Sequence, residues 1–209
     1  MSAQTSPVIS TPGKVADAVP GVHELILARW SPRSFSDRPV STHDLIVLLE
    51  AARWAASSYN EQPWRFVVAR KADGSLYDRL LGILEPFNQG WAKTAPVLMI
   101  TAAKRHFTHT GAINLHALHD TGAALAQLFL QATALGLHAH GMAGFNREKA
   151  RIELGIPDDF ELGAAAAIGY LGSPDDLAQP YKDRELSPRQ RKPLSDIIFG
   201  GHWNEPLAL

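Results

Sequence analysis

The sequence predicts an α+β fold and not a doubly wound parallel sheet. Apolar residues recur at helical spacing in several stretches, and three short apolar runs read as strands. These helices and strands follow one another without the strict β-α-β alternation of a parallel sheet. Hydrophobic residues make up 45% of the 209, enough for one globular domain with a sizeable core.

The elements follow in chain order. Ser41-Thr42-His43-Asp44 offers a hydroxyl cap with an acid three residues on. Leu45, Leu48, Leu49, Ala52 and Ala56 then continue at helical period. Phe66-Val67-Val68-Ala69 reads as a buried strand, Ser75 to Leu84 as a helix, and Ala95 to Ile100 as a second strand. The longest helix is expected from about Ala112 to Leu135, closed by Gly136. A shorter helix capped by Asn146 ends near Gly155-Ile156-Pro157. The Ala- and Gly-rich run from Ala164 to Leu171 suits a central strand packed closely on both faces. From Ser173 to Arg191 the chain is polar and carries Pro174, Pro180 and Pro188, so a long loop is expected.

Composition removes several function classes. A formal net charge of −1 does not suit a nucleic-acid binder. The absence of cysteine excludes thiol catalysis, disulfides, iron–sulfur clusters and Cys-ligated zinc. No apolar run reaches the roughly 20 residues of a membrane span. Pro7, Pro12, Lys14, Asp17 and Pro20 interrupt any secretion-signal pattern, so a cytoplasmic protein is the default expectation. Residues 1–20 read as a flexible arm and 21–209 as a single domain. Six histidines (His106, His109, His116, His119, His138, His140) tempt a metal reading, but no Asp/Glu–His grouping has metalloenzyme spacing.

Four segments can carry chemistry. Arg29-Trp30-Ser31-Pro32-Arg33 sets two guanidinium forks around a hydroxyl, all on one side of an extended chain. Each fork can hold a phosphate bidentately; a solvated basic turn is the commoner case for such a triplet. Ser57-Ser58-Tyr59-Asn60-Glu61-Gln62-Pro63-Trp64 is dense in groups that both donate and accept, which suits a flavin ring edge or, equally, Asx- and Ser-turns. Gly141-Met142-Ala143-Gly144-Phe145-Asn146 places glycines ahead of a helix start, where backbone N–H groups can approach a ligand. No G-x-G-x-x-G occurs, which argues against a dinucleotide on a Rossmann unit. Arg189-Gln190-Arg191-Lys192-Pro193 is a second basic cluster.

In order and spacing these segments resemble the nitroreductase family. Arg29, Ser31 and Arg33 match its Arg-x-Ser-x-Arg segment, which holds an FMN phosphate. Ser57 to Trp64 matches its Pro-Ser-x-x-Asn-x-Gln-Pro-Trp loop, with Ala56 in place of the leading proline. Asn88 matches a flavin-contacting asparagine, Gly144-Phe145-Asn146 the turn beside the flavin, and Arg189, Arg191 and Pro193 the C-terminal segment closing on the phosphate. Phe199-Gly200-Gly201-His202-Trp203 resembles the family's tail. The resemblance implies a central mixed or antiparallel sheet flanked by helices in an intertwined homodimer, with the C-terminal extension wrapping the partner. The cofactor set it implies is Arg29, Trp30, Ser31, Arg33, Ser57, Ser58, Asn60, Gln62, Asn88, Ala143, Gly144, Arg189 and Arg191. It further implies ping-pong hydride transfer from NADH or NADPH through FMN to nitroaromatics, quinones or similar electrophiles. No side chain is expected to be an essential catalyst and no metal is expected. Dehalogenation, heterocycle dehydrogenation, flavin destruction, or flavin binding without turnover are the alternatives. Glu61 and the 103–111 segment are expected to shape substrate choice, the latter as a lid over the ring or as an exposed connecting loop.

Overall fold

The computed structural model describes residues 11, 13, 14 and 16–208. Most of the expected N-terminal arm therefore lies outside the described residues. The chain runs α1 (Glu24–Ala28), α2 (Thr42–Arg53), β1 (Trp64–Arg70), α3 (Ser75–Ile83), α4 (Pro86–Ala92), β2 (Val97–Lys104), α5 (Ala117–Ala134), β3 (His138–Met142), α6 (Arg147–Leu154), β4 (Phe160–Gly169) and α7 (Tyr181–Leu186). The strands form one sheet in the order β1-β2-β4-β3. All three pairings are antiparallel, so of the two sheet types expected the antiparallel one is found.

The sheet separates two apolar layers. Along β2, Val97 and Met99 face one cluster, with Leu48 and Ala52 of α2 and Ala124, Leu128 and Ala132 of α5. Leu98, Ile100 and Ala102 face the other, with Leu80 and Ile83 of α3 and Trp91 of α4. This is the period-two alternation of a strand covered on both faces. The Ala165–Ala167 run of β4 is fully buried, and its small side chains let the two helical layers close on the middle of the sheet. Gly163 and Gly169 are required beside it, because a Cβ there would overlap Thr101 and Pro96 respectively.

The expected caps are present. Ser41 Oγ accepts from Asp44 N at 2.9 Å, and Asn146 Oδ1 accepts from Lys149 N at 2.8 Å. Gly155 ends α6 in the left-handed region, where a glycine carries no steric penalty.

Two expectations need correction, and two elements were not expected at all. The long helix begins at Ala117 and not Ala112, because residues 106–114 fold back first: His106 and Ile113 form a β-bridge and Asn114 N donates to Arg105 O. The 173–191 segment is not all loop, since it holds a 3₁₀ turn at Pro174–Asp176 and α7. Residues 138–142, where no element was expected, form the edge strand β3, and the 141–146 segment does lead into a helix, α6. Asn88 lies ahead of β2, within the short helix α4, an element the sequence did not suggest.

Candidate active site

A cavity of ≈ 230 Å³ opens where the ends of the chain meet the segment after α1. Lys14, Arg29, Trp30, Ser31, Arg184, Ser187, Pro188, Arg189 and Arg191 line it. Two basic segments about 160 residues apart in sequence are thus brought to one place, an arrangement that suits an anion. Arg29 and Ser31 come from the extended chain beside β3, with Arg189 and Arg191 opposite. Lys14 and Arg184 complete the wall, and no sequence signal marked either one. Arg33 is close by but is not in the wall; its guanidinium stands 6.0 Å from the Trp91 ring centroid.

The electrostatics of this cavity are lopsided. Burial holds the Arg29 guanidinium below its ordinary pKa, and the charge of Arg191 adds to the effect. Arg189 is lowered first by burial, then by Arg29 and Arg191. The nearby carboxylate, Glu185, is already committed. It is buried, and it accepts from Arg33 N at 2.7 Å and Ser34 N at 3.2 Å. Burial raises its pKa while those two bonds and the charges of Lys14 and Arg33 oppose the rise. Mutually repelling cations around a cavity with hydroxyls in its wall are the donor set for a dianionic phosphate. Arg33 Nε, buried without a partner, points the same way.

From this cavity the remaining contacts run along β3. His140 Nδ1 bonds Pro32 O at 2.8 Å, and the His140 ring packs on Trp91 with centroids 4.5 Å apart. Burial pushes the pKa values of His138 and His140 down to about 4, so both imidazoles are neutral. Beyond Trp91, Asn88 Nδ2 donates to Gly144 O at 2.9 Å, while Asn88 Oδ1 accepts from Trp91 Nε1 at 3.3 Å. A Cβ at position 144 would meet Asn88 Nδ2. Asn88 and Gly144, placed together by the resemblance, do meet, and Ala143 next to them is exposed.

The Ser57–Gln62 loop lies elsewhere. It leads into β1, at the opposite edge of the sheet from β3. Three strand spacings of about 4.8 Å separate those edges, roughly 14 Å before any offset along the strands. Within one chain the loop does not join the cavity. Its backbone is forced: Tyr59, Asn60 and Gln62 have φ of 51°, 54° and 51°. Left-handed conformations at non-glycine residues cost on the order of 1–3 kcal/mol each and persist only where surroundings impose them. Here Ser57 Oγ accepts from Gln62 N at 3.0 Å and Asp120 Oδ2 from Ser58 N at 2.9 Å. The Asn60 side chain is left exposed.

Glu61 points neither into the cavity nor to solvent. Its side chain is 5% exposed, and both carboxylate oxygens accept from Thr108 N at 2.9 Å. Lys104 Nζ donates to Thr108 Oγ1 at 2.8 Å. The 106–114 fold is therefore clamped to the strained loop, and Tyr59, Phe107 and His109 gather there with centroids 5.5–6.0 Å apart. Among the described residues no group of three or more metal-ligating side chains converges.

An antiparallel sheet, helices on both faces and a cationic cavity beside one edge define an α+β protein with a pocket suited to an anion. The nitroreductase family model matches residues 26–85 and 75–170. A solved oxidoreductase containing FMN superposes with a TM-score of 0.85 at 37% identity, covering 94% of this chain and 99% of that one. An uncharacterized 15.4 kDa protein of Mycolicibacterium smegmatis is 33% identical over 150 residues, 68% of this chain and 99% of that one. A Thermus thermophilus protein named NADH dehydrogenase is 29% identical over 204 residues, 83% of this chain and 92% of the other. The chain belongs to the nitroreductase family.

Proposed function

We propose that this protein is an FMN-dependent oxidoreductase. It takes a hydride from NADH or NADPH and passes it to a nitroaromatic, quinone or similar electrophile by a ping-pong mechanism. The observation that carries the reading is the cavity, whose cations repel one another and whose wall, among the described residues, holds no carboxylate. The naming of a 37%-identical neighbour as an oxidoreductase containing FMN supports the choice of ligand. When bound, FMN supplies at its N5 the atom that accepts and then donates the hydride.

The chain's part is to bind and orient. Arg29, Ser31, Arg189 and Arg191 hold the phosphate, and Arg33 and Trp30 back them. Asn88, Ala143 and Gly144 lie further along the same edge and border the ring. Ser57, Ser58, Asn60 and Gln62 sit at the far edge, so they reach a cofactor only when a second copy presents them. This supports a homodimer with two shared sites. Two further features agree with it. No described residue after Glu185 is buried, although that stretch includes Leu194, Ile197, Trp203 and Leu207. Ile113 and Leu115, just ahead of α5, and Leu118 in its first turn are also exposed. Apolar surface of this extent marks an interaction face.

The test is a visible absorption spectrum of the purified protein, taken without oxygen before and after NADH or NADPH. Flavin bands that bleach are expected. Bands that persist with both nucleotides would overturn the hydride-transfer reading. A colourless protein that takes up no added FMN would overturn the cofactor.

A further inference from the structure

The cavity has a wall that the family pattern does not contain. Thr11 and Lys14 stand more than ten residues ahead of the Arg29–Arg33 segment, yet they fold back onto it. Trp30 Nε1 donates to Thr11 Oγ1 at 3.1 Å, and the Lys14 ammonium stands 4.8 Å from the Trp30 ring centroid. Lys14 Nζ donates to Ser187 O, and Arg189 Nη1 donates to Lys14 O at 3.1 Å. Lys14 N donates to Thr11 O at 3.0 Å, a tight turn in which Gly13 takes a φ of 76°. Thr11 and Lys14 thus bridge the two basic segments of the cavity, and Lys14 places a further cation in its wall.

The position is unfavourable for a lysine without an anion. Burial lowers the Lys14 pKa, Arg189 and Arg33 lower it further, and only Glu185 opposes them. Glu185 is bound to the Arg33 and Ser34 amides and cannot swing out to meet the lysine without leaving two N–H groups bare. A dianion entering the cavity would reverse the balance, since each cation in the wall then gains a partner.

We propose that Thr11, Gly13 and Lys14 form a strap over the phosphate end of the cofactor site and that Lys14 is a phosphate-binding residue. The inference rests on the FMN reading above and extends it to a segment outside the family's motifs. By linkage the coupling runs both ways: the strap tightens phosphate binding, and bound phosphate holds the strap down.

Two measurements test it. The first is the Kd for FMN and for riboflavin, which lacks the phosphate, in wild type, Lys14→Ala and Lys14→Arg, by quenching of flavin fluorescence. Lys14→Ala is expected to weaken FMN by roughly tenfold, the loss of about one charge-assisted bond, and to leave riboflavin unchanged, with Lys14→Arg close to wild type. An unchanged FMN Kd, or an equal loss for riboflavin, would overturn the strap. The second is trypsin cleavage after Lys14 in the wild-type chain. Saturating FMN is expected to slow it severalfold, whereas riboflavin leaves it as it was; equal rates with and without FMN would also overturn it. A wild-type protein that binds no FMN fails the cofactor reading itself, an outcome separate from these.

Discussion

The two edges of the sheet solve opposite problems. Beside β3, five cations face one another across a cavity with their charges uncompensated. Beside β1, the Ser57–Gln62 loop satisfies its own amides, clamps its neighbour through Glu61 and stores its tension in the backbone. One region concentrates positive charge; the other concentrates backbone strain. On the proposed assembly the difference teaches that burial and unmet charge would locate the half of a site that binds, while enforced backbone geometry would locate the half that is presented.

The sharpest way to break this comparison is complementation. Arg29→Ala/Arg191→Ala removes the binding half, and Asn60→Ala/Gln62→Ala removes the presented half. Each variant alone is expected to retain little flavin. After joint refolding, about a quarter of the sites should return, since half of random dimers are mixed and each mixed dimer rebuilds one of its two sites. No recovery would mean that the halves do not meet across a dimer.

Single substitutions grade the binding half. Arg29→Ala and Arg191→Ala should each raise the Kd for FMN by roughly 10- to 100-fold, about 1.5–3 kcal/mol for a bond between charged groups. Titration by fluorescence quenching reads this directly, and unchanged affinity in both would remove the phosphate from the cavity.

Acid titration probes the contact between β3 and the binding segment. His138 and His140 drop from an ordinary pKa of 6.5 to about 4 on folding. Between those values the unfolded chain takes up protons that the folded chain refuses. Stability therefore falls as pH drops from 6.5 towards 4, by on the order of 3 kcal/mol for each imidazole. Melting curves across that window should show the loss. His138→Leu removes a ring whose Nδ1 has no partner, and it should flatten about half of the slope. An unaltered slope would show that His138 does not titrate in this way.

The smallest effect concerns the presented half. Gln62→Gly keeps the N–H that Ser57 receives and relieves a φ of 51°. A gain of about 1 kcal/mol in the stability of the flavin-free protein is expected, together with weaker flavin binding. Stability gained with flavin affinity intact would make the loop purely structural.

Much of this was legible in the sequence, for identifiable reasons. Helix α5 announces itself by length and period, and Ser41 and Asn146 by side chains suited to cap a helix. Strand β3 was hidden because His138-Ala139-His140-Gly141-Met142 has neither alternation nor β-branched residues; its identity comes from pairing with β4. Helix α4 was hidden by Gly90, a poor helix former whose place is set by Tyr181 of α7, which leaves no room for a Cβ. In the site, the Arg29 and Arg191 segments could be read because residue type and spacing carry phosphate chemistry locally. Lys14, Arg184 and Glu185 could not, because their roles exist only once distant segments meet.

The last stretch of the chain, where no described residue after Glu185 is buried, has a thermodynamic consequence. A segment that leaves Trp203 82% exposed gains little from the fold of its own chain and much from whatever covers it. On the proposed assembly, ordering that segment and joining two subunits are one event. The melting temperature should then climb with protein concentration, as mass action requires when the folded form is a dimer. How well this protein withstands heat would depend on how much of it is present.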